Sequence, residues 1–193
     1  RRPPSIFDSP VDDIAGYLAL EDFSQLPVEE RIKFLIGFSD RFRGLSQGDS
    51  AVLAGFLAGL SGPAREQLIE NVKTLAKDIL ADGAREYLSL RDAAERKAFL
   101  DKWLIEWMKT GERISRGQER NRSDAQRLEE IKRDGQREAR GPVNGVELGN
   151  NSAVAMLDMW RREVETTATP KEQGQIVRFL TDLRNHILAP AGK

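Results

Sequence analysis

Apolar residues recur along most of this 193-residue chain at intervals of three and four, the spacing of one face of an α-helix. Alternating runs of Val, Ile and Thr, which a half-buried β-strand would need, are almost missing. The sequence therefore predicts an all-α fold. Two stretches show the helical spacing best, namely Leu68, Val72, Leu75 and Ile79, and Ile176, Leu180, Leu183 and Ile187.

The distribution of apolar and charged residues predicts three segments. Residues 1–111 should form an irregular or orthogonal helical bundle, with about five helices. Residues 112–151 are interpreted as a charged arm, because nine Lys or Arg and seven Asp or Glu lie between positions 112 and 140. Within it we expect one solvent-exposed helix over about residues 124–140. Residues 152–193 should form a C-terminal helical hairpin, which is too short to bury its own apolar sides.

Local patterns predict where the helices begin and end. Ser9 is expected to cap the first helix, ahead of Pro10. The pair Asp82-Gly83 should break or loosen a helix over residues 64–81, and Gly111 should end the helix that begins near residue 91. Two pairs match the capping box, namely Ser123 with Gln126 and Thr169 with Glu172.

Small residues line one side of the predicted helix over residues 51–60. Ala51, Gly55 and Gly59 are four positions apart, and glycine inside a helix costs about 1 kcal/mol relative to alanine. Because something should offset that cost, we expect a neighbouring helix to approach closely here. A membrane dimer motif is the less favoured interpretation, since the apolar run is too short.

Several chemistries are excluded by residue type. The chain has no cysteine and a single histidine, His186, so thiolate metal sites, iron–sulfur clusters, cysteine nucleophiles and two-histidine metal sites are ruled out. His186 lies near the end of the last predicted helix, where a histidine interacts favourably with the helix C-terminus. We do not expect it to be a general base. No phosphate-binding loop occurs. We therefore predict no catalytic, cofactor-binding or metal-binding residue; a hydrolase whose acidic residues only the fold brings together stays an alternative.

The sequence does not determine a compartment. No run reaches the ~18–20 apolar residues of a membrane helix, so no membrane span is expected, although an anchor or signal upstream of Arg1 is compatible with the Arg1-Arg2-Pro3-Pro4 start. Both a cytoplasmic and an extracytoplasmic location stay open. The Leu-Pro and Leu-Ser helix starts are common in bacterial helical proteins, and we expect a bacterial chain.

A basic run raises the question of nucleic-acid binding. The net charge of −1 gives no overall attraction to phosphates. Acidic residues interleave with the basic ones, and no aromatic residue is available to stack on bases. We predict no specific nucleic-acid binding, with weak binding through the arm as an alternative. The run consists of Arg113, Arg116, Arg120, Arg122 and Arg127.

These features favour a non-enzymatic protein–protein interaction or assembly module, such as a scaffold or accessory subunit. A charged arm and a dependent hairpin are suited to reach a protein partner or a second copy. Leu128 and Ile131, on the otherwise charged arm helix, should gain burial from that contact, and the large aromatic residues Trp103, Trp107 and Trp160 should contribute to it. The main alternative is a ligand-binding or sensory domain of a membrane-anchored protein, with Trp103 and Trp107 lining a pocket.

Overall fold

The computed structural model describes residues 1–43, 51, 54–55, 58–140, 160–162 and 168–190 of the chain. Of these residues 79% are helical, and none lies in a β-strand. The predicted all-α class is therefore confirmed.

Seven helices are given with both ends inside the described ranges, and the described residues 51, 54–55, 58–59 and 160–162 are helical as well. The helices are α1 (Val11–Leu18), α2 (Glu21–Ser24), α3 (Val28–Arg43), α4 (Gly62–Ser89), α5 (Ala93–Arg116), α6 (Asp124–Ala139) and α7 (Pro170–Leu188).

The chain contacts divide into two compact units, and both units take residues from α4 and α5. Unit 1 comprises Arg1–Asp78 with Thr110–Glu119, and unit 2 comprises Ile79–Lys109 with Arg120–Lys193. The boundary expected at residue 111 therefore falls inside α5, within a stretch that belongs to unit 1.

The core of unit 1 is aromatic. Tyr17 of α1, Phe23 of α2 and Phe34 of α3 are nearly inaccessible to solvent, and their ring centroids lie 5.4 to 6.3 Å apart. Ile14 and Leu18 of α1 complete the cluster. Ring pairs at these distances pack edge to face or tilted, which adds specificity to the area they bury.

A buried polar side chain joins α4 to this core. Asn71 is 1% exposed, and its Nδ2 donates to the carbonyls of Leu18 at 2.8 Å and Leu20 at 2.7 Å. Its Oδ1 accepts from Gln67 Nε2 at 2.9 Å. The Leu18 carbonyl is in the last turn of α1 and has no acceptor role inside that helix. Asn71 therefore satisfies the Leu18 carbonyl, which the end of α1 leaves unpaired, and gives a second bond to the Leu20 carbonyl, which also accepts from the Phe23 N–H at 3.1 Å.

The core of unit 2 is formed by four helices. Leu80 and Ala84 of α4 and Leu104 of α5 are completely buried. Ile131 of α6 joins the same cluster. Burial along α7 confirms the apolar stripe expected there, since Ile176, Leu180, Leu183 and Ile187 are each at most 3% exposed. The last helix thus buries its apolar side within its own chain.

The buried side of α4 changes along its length. In unit 1 the helix buries Asn71 and Leu75, whereas in unit 2 it buries Leu80, Ala84 and Tyr87. Leu75 and Leu80 are five positions apart, which in an α-helix is about 140° around the axis. Leu68, Val72, Leu75 and Ile79 all lie in this helix as expected, but Leu75 is 6% exposed and Val72 is 55% exposed.

Two predicted helix ends are also wrong. α4 continues through Asp82-Gly83 without a break, and α5 continues past Gly111 to Arg116. The helix ends instead before Gly117, whose φ of 81° is a left-handed conformation that favours glycine. The N–H of Gly117 donates to the Arg113 carbonyl at 2.9 Å.

The start of α1 differs from the prediction, while two others are confirmed. Pro10 occupies the N-cap position of α1 without a side-chain bond, and the Ser9 N–H donates to the Ser5 carbonyl at 3.1 Å in the turn before it. The capping boxes predicted at Ser123 and Thr169 are both present, at the starts of α6 and α7.

The close approach expected along the small-residue stripe is not found at its two described glycines. A Cβ added to Gly55 or to Gly59 would meet no heavy atom within 4 Å. Residues 52–53 and 56–57 of the predicted helix lie outside the described residues.

We expect Asn71→Ala to lower the free energy of unfolding by about 1–3 kcal/mol, because it leaves the Leu18 carbonyl without a donor and removes one of the two donors of the Leu20 carbonyl. Gln67→Ala is the matched control: it removes one bond to Asn71 but keeps both bonds to the carbonyls, so its loss should be under about 1 kcal/mol. Urea titration followed by circular dichroism measures both. Equal losses for the two variants would contradict the role given to Asn71.

Candidate functional site

The three tryptophans form a partly buried cluster on unit 2. Trp103 and Trp107 of α5 are stacked, with centroids 6.3 Å apart and an interplanar angle of 11°. Trp160 meets Trp107 edge to face at 5.8 Å, and Trp103 meets Phe179 of α7 at 5.3 Å. The structure therefore brings all three predicted residues together. Much of their ring surface is occupied by one another and by the core.

Leu128 and Ile131, the predicted contact residues of the arm, lie in the core of unit 2. Ile131 is 4% exposed, and Leu128 packs partly buried against the same cluster. Their helix, α6, packs against α7, and Gln136 Nε2 donates to the Ala189 carbonyl at 3.1 Å. The prediction of a solvent-exposed arm helix is thus corrected: these residues gain their burial inside the chain, and Ile131 offers no surface to a partner.

The arginine-rich run is used largely to hold the segment between α5 and α6. Arg127 is 2% exposed, and its guanidinium donates to the Arg122 carbonyl and, at 2.7 Å, to the Arg120 carbonyl. Glu130 accepts from the guanidinium groups of Arg120 at 3.3 Å and Arg122 at 3.1 Å. Because these donors face protein oxygens, the arrangement does not favour the alternative of phosphate contacts through the arm.

Two polar pairs lie at the edge of the unit 2 core, and sequence analysis missed both. His186 Nε2 lies 2.6 Å from Asp101 Oδ1, and the Tyr87 hydroxyl donates to Asp182 Oδ2 at 2.8 Å. The paired residues are 85 and 95 positions apart, so no local pattern could have indicated them. Among the contacts of the described residues none brings a hydroxyl nucleophile to His186, and the pair acts as a link between α5 and α7.

A cavity of about 500 Å³ lies in unit 1, between the N-terminal segment and α1. Arg1, Arg2, Asp12 and Asp13 give its lining both signs of charge, and Tyr17 contributes its hydroxyl side. Burial, and secondarily the charge of Asp22, raises the pKa of Tyr17. The lining does not include Trp103 or Trp107, so this cavity is not the pocket that the sensory alternative placed there.

An apolar patch with a charged border lies on α4 in unit 1. Ile69 is 49% exposed and Val72 is 55% exposed; with Phe7, they are the strongly exposed large apolar side chains of the described residues. At positions i and i+3 they are neighbours on one side of the helix, and Ala76 follows them there. The border of this patch carries the charged residues Glu66, Glu70, Lys73 and Lys77. We call Ile69, Val72 and Ala76, together with these four charged residues, the α4 outer face.

The sequence places Val72 on one helical stripe with Leu68, Leu75 and Ile79, and this spacing does not show which of the four the fold covers. The signal that indicates the outer face is the stripe of Ile69, Val72 and Ala76, which leads along the helix to Leu80 and Tyr87. That stripe is core in unit 2 and half exposed in unit 1. Large exposed apolar patches that are rimmed by polar residues mark contact sites on protein surfaces.

Two kinds of feature are absent from the described residues. No group of three or more His, Asp or Glu side chains there is arranged to hold a metal ion. No helix within those ranges combines the length and the apolar character needed to cross a membrane.

Comparison with known proteins gives no relative of this chain: no family model, no curated protein and no solved structure matches it.

We expect Gly83→Ala to destabilise unit 2, although alanine is the better helix former. The added Cβ would lie 2.6 Å from Trp103 Nε1 and 3.1 Å from Phe179 Cε1. Overpacking of this kind costs about 1–3 kcal/mol, which exceeds the roughly 1 kcal/mol gained in helix propensity. The matched control is Gly174→Ala in α7, where the Cβ meets nothing within 4 Å and the protein should become more stable. Thermal unfolding of both variants tests this, and a stabilised Gly83→Ala would contradict the packing.

Tyr87 should make the protein less stable in alkali. Burial raises the pKa of its hydroxyl, and the bond to Asp182 raises it further. The stabilisation is complete below the unfolded-state pKa of about 10 and is lost as the pH rises through the folded-state value. We expect the unfolding free energy to fall above about pH 10, and to fall less in Tyr87→Phe. Urea titrations at pH 7 to pH 11 measure this; identical pH curves would contradict it.

Proposed function

We propose that this chain is a non-enzymatic protein–protein interaction or assembly module, and that the α4 outer face is its contact surface. The observation that carries the proposal is the exposure of Ile69 and Val72 side by side on a well-packed helix. Covering two half-exposed side chains of this size yields on the order of 1 kcal/mol each. This free energy is gained when a partner covers the two side chains, and it is not gained while the side chains stay in water.

The composition of the outer face also supports a protein partner. Protein interfaces combine an apolar centre with a polar rim, and here Ile69 and Val72 are bordered by Glu66, Glu70 and Lys73. The rim carries both signs of charge, which fits a protein surface better than the uniform negative charge of a nucleic acid.

The contact residues expected from the sequence need revision within this proposal. Ile131 is buried in unit 2 and Leu128 packs partly buried against the same cluster, so within this proposal we assign both residues to the fold. Trp103, Trp107 and Trp160 keep part of their surface accessible and form a second, smaller candidate contact on unit 2. The scaffold or accessory-subunit role is proposed for the outer face alone.

We expect the double variant Ile69→Glu/Val72→Glu to lose at most about 1–2 kcal/mol of unfolding free energy, because about half of the surface of each side chain is exposed to water. The matched control is Leu75→Glu on the same helix; Leu75 is 6% exposed and should lose several kcal/mol. Urea titration of both variants decides whether other parts of the same chain pack against the outer face.

A photo-reactive amino acid at position 72 tests for the partner in the native host. We expect a cross-linked protein adduct from position 72, its loss when Ile69→Glu is added, and none from the exposed position 137 on α6. The proposal is overturned if position 72 gives no adduct. It is also overturned if the double glutamate variant loses more than about 2 kcal/mol, since the face would then be packed within the chain.

A further inference from the structure

We propose that the partner on the α4 outer face is a second copy of this chain, and that the two α4 helices pair antiparallel about a two-fold axis near residue 71. The inference rests on the proposed function and specifies its partner. Closed homodimers with two-fold symmetry are the commonest assemblies of soluble chains, and their interface patch must be complementary to itself. The outer face has that property.

The order of charges along the border makes the face self-complementary. On the side of Ile69 and Val72 that faces away from the unit 1 core, the helix carries first Glu66 and Glu70 and then Lys73 and Lys77. An antiparallel copy sets the acidic half of each helix against the basic half of the other. In a parallel two-fold pair these charged sides would lie on opposite sides of the contact, so their charges would not meet.

The same order is poor for an isolated helix. Glu66 and Glu70 are four positions apart, as are Lys73 and Lys77, and like charges at this spacing repel each other. Opposite charges come together between Glu70 and Lys73, which are three positions apart. Lys77 Nζ also lies 3.3 Å from Asp78 Oδ1, a carboxylate shared with Arg31. Two acidic positions followed by two basic ones therefore favour a pair of helices more than a single one.

The apolar and charged positions agree on one register. Pairing Glu66 with Lys77 and Glu70 with Lys73 of the second copy centres the two-fold axis between residues 71 and 72. Pairing Ile69 with Val72 of the second copy centres it within one residue of that point. A single antiparallel alignment thus covers the apolar patch and pairs the charges, as the flanking positions of antiparallel coiled coils do.

The size of the face sets the strength of the dimer. Residues 66 to 77 span three turns, or about 18 Å of helix. Two such faces bury less than the roughly 1,600 Å² of a standard interface, so we expect a dissociation constant in the micromolar range or weaker. Because charge pairs contribute at the border, raising the salt concentration should weaken the dimer.

Cysteine scanning tests the arrangement cleanly, because the chain has no cysteine of its own. In the proposed register Val72→Cys lies near the axis and should form a disulfide-linked dimer on mild oxidation. Arg65→Cys and Ala76→Cys lie away from the axis, so each alone should stay monomeric and an equimolar mixture of the two should cross-link. Self-cross-linking of Ala76→Cys would indicate parallel helices and overturn the proposal.

Charge reversal tests the same pairing without a covalent bond. Glu66→Lys/Glu70→Lys makes the border basic, and Lys73→Glu makes it largely acidic, while Lys77 keeps its contact with Asp78. By sedimentation equilibrium up to several hundred micromolar, each variant alone should associate at least tenfold more weakly than the parent. An equimolar mixture of the two should associate more strongly than either variant alone, because three of its four border pairs are opposite in charge, against none in the first variant, two in the second and four in the parent. Circular dichroism confirms that each variant is folded, and Ile69→Gln, which changes no charge, provides an independent loss of association.

The outcomes separate this inference from the proposed function. A parent chain that stays monomeric at all concentrations, while position 72 cross-links to a different protein, overturns the second copy as partner and leaves the interaction module standing. A monomeric chain in which Ile69→Glu/Val72→Glu is destabilised overturns both, because the apolar residues 51–60 or another part of the same chain would then cover the face. Recovery of association in the mixed charge variants supports both.

Discussion

The architecture depends on a change of buried side along α4. Its first half is anchored through Asn71 and Leu75, and its second half through Leu80, Ala84 and Tyr87. The groups that pack on this 28-residue helix differ between its two halves, so no single stripe is covered along the whole helix. The stripe that serves as core in the second half therefore continues into the first half without equivalent cover. Ile69 and Val72 are exposed for this reason.

Polar side-chain contacts stabilise other parts of each unit. Asn71 supplies donors to the carbonyls where α1 ends, and Arg127 supplies them to the segment between α5 and α6. Tyr87 and His186 each meet a carboxylate across the edge of the unit 2 core. Each contact satisfies a group that would be costly to leave unpaired away from water. Much of the charge in the second half of the chain is therefore structural, including arginines that resemble a nucleic-acid patch in the sequence.

The proposed interaction role is consequently assigned to a different part of the chain than the sequence indicated. A charged helix with two large apolar residues is typical of an arm that waits for a partner, but α6 finds its partner in α7. An apolar residue at a helical interval is typical of the interior, but Val72 is among the most exposed large apolar side chains of the described residues. Both differences arise because helical periodicity identifies the apolar side of a helix without identifying what covers it.

The sequence by itself determined the helical class, the capping boxes at Ser123 and Thr169, and the buried stripe of α7, because each depends on residues within a few turns of one another. Only the tertiary structure decided that Asn71 is core while Val72 is surface, that His186 meets Asp101, and that α5 runs past Gly111 to end at Gly117. These outcomes depend on contacts between residues far apart in the chain. The free energy of such contacts exceeds the differences in local helix propensity. The outer face belongs to this second group, since an exposed apolar patch is defined by the neighbours that the fold does not place over it.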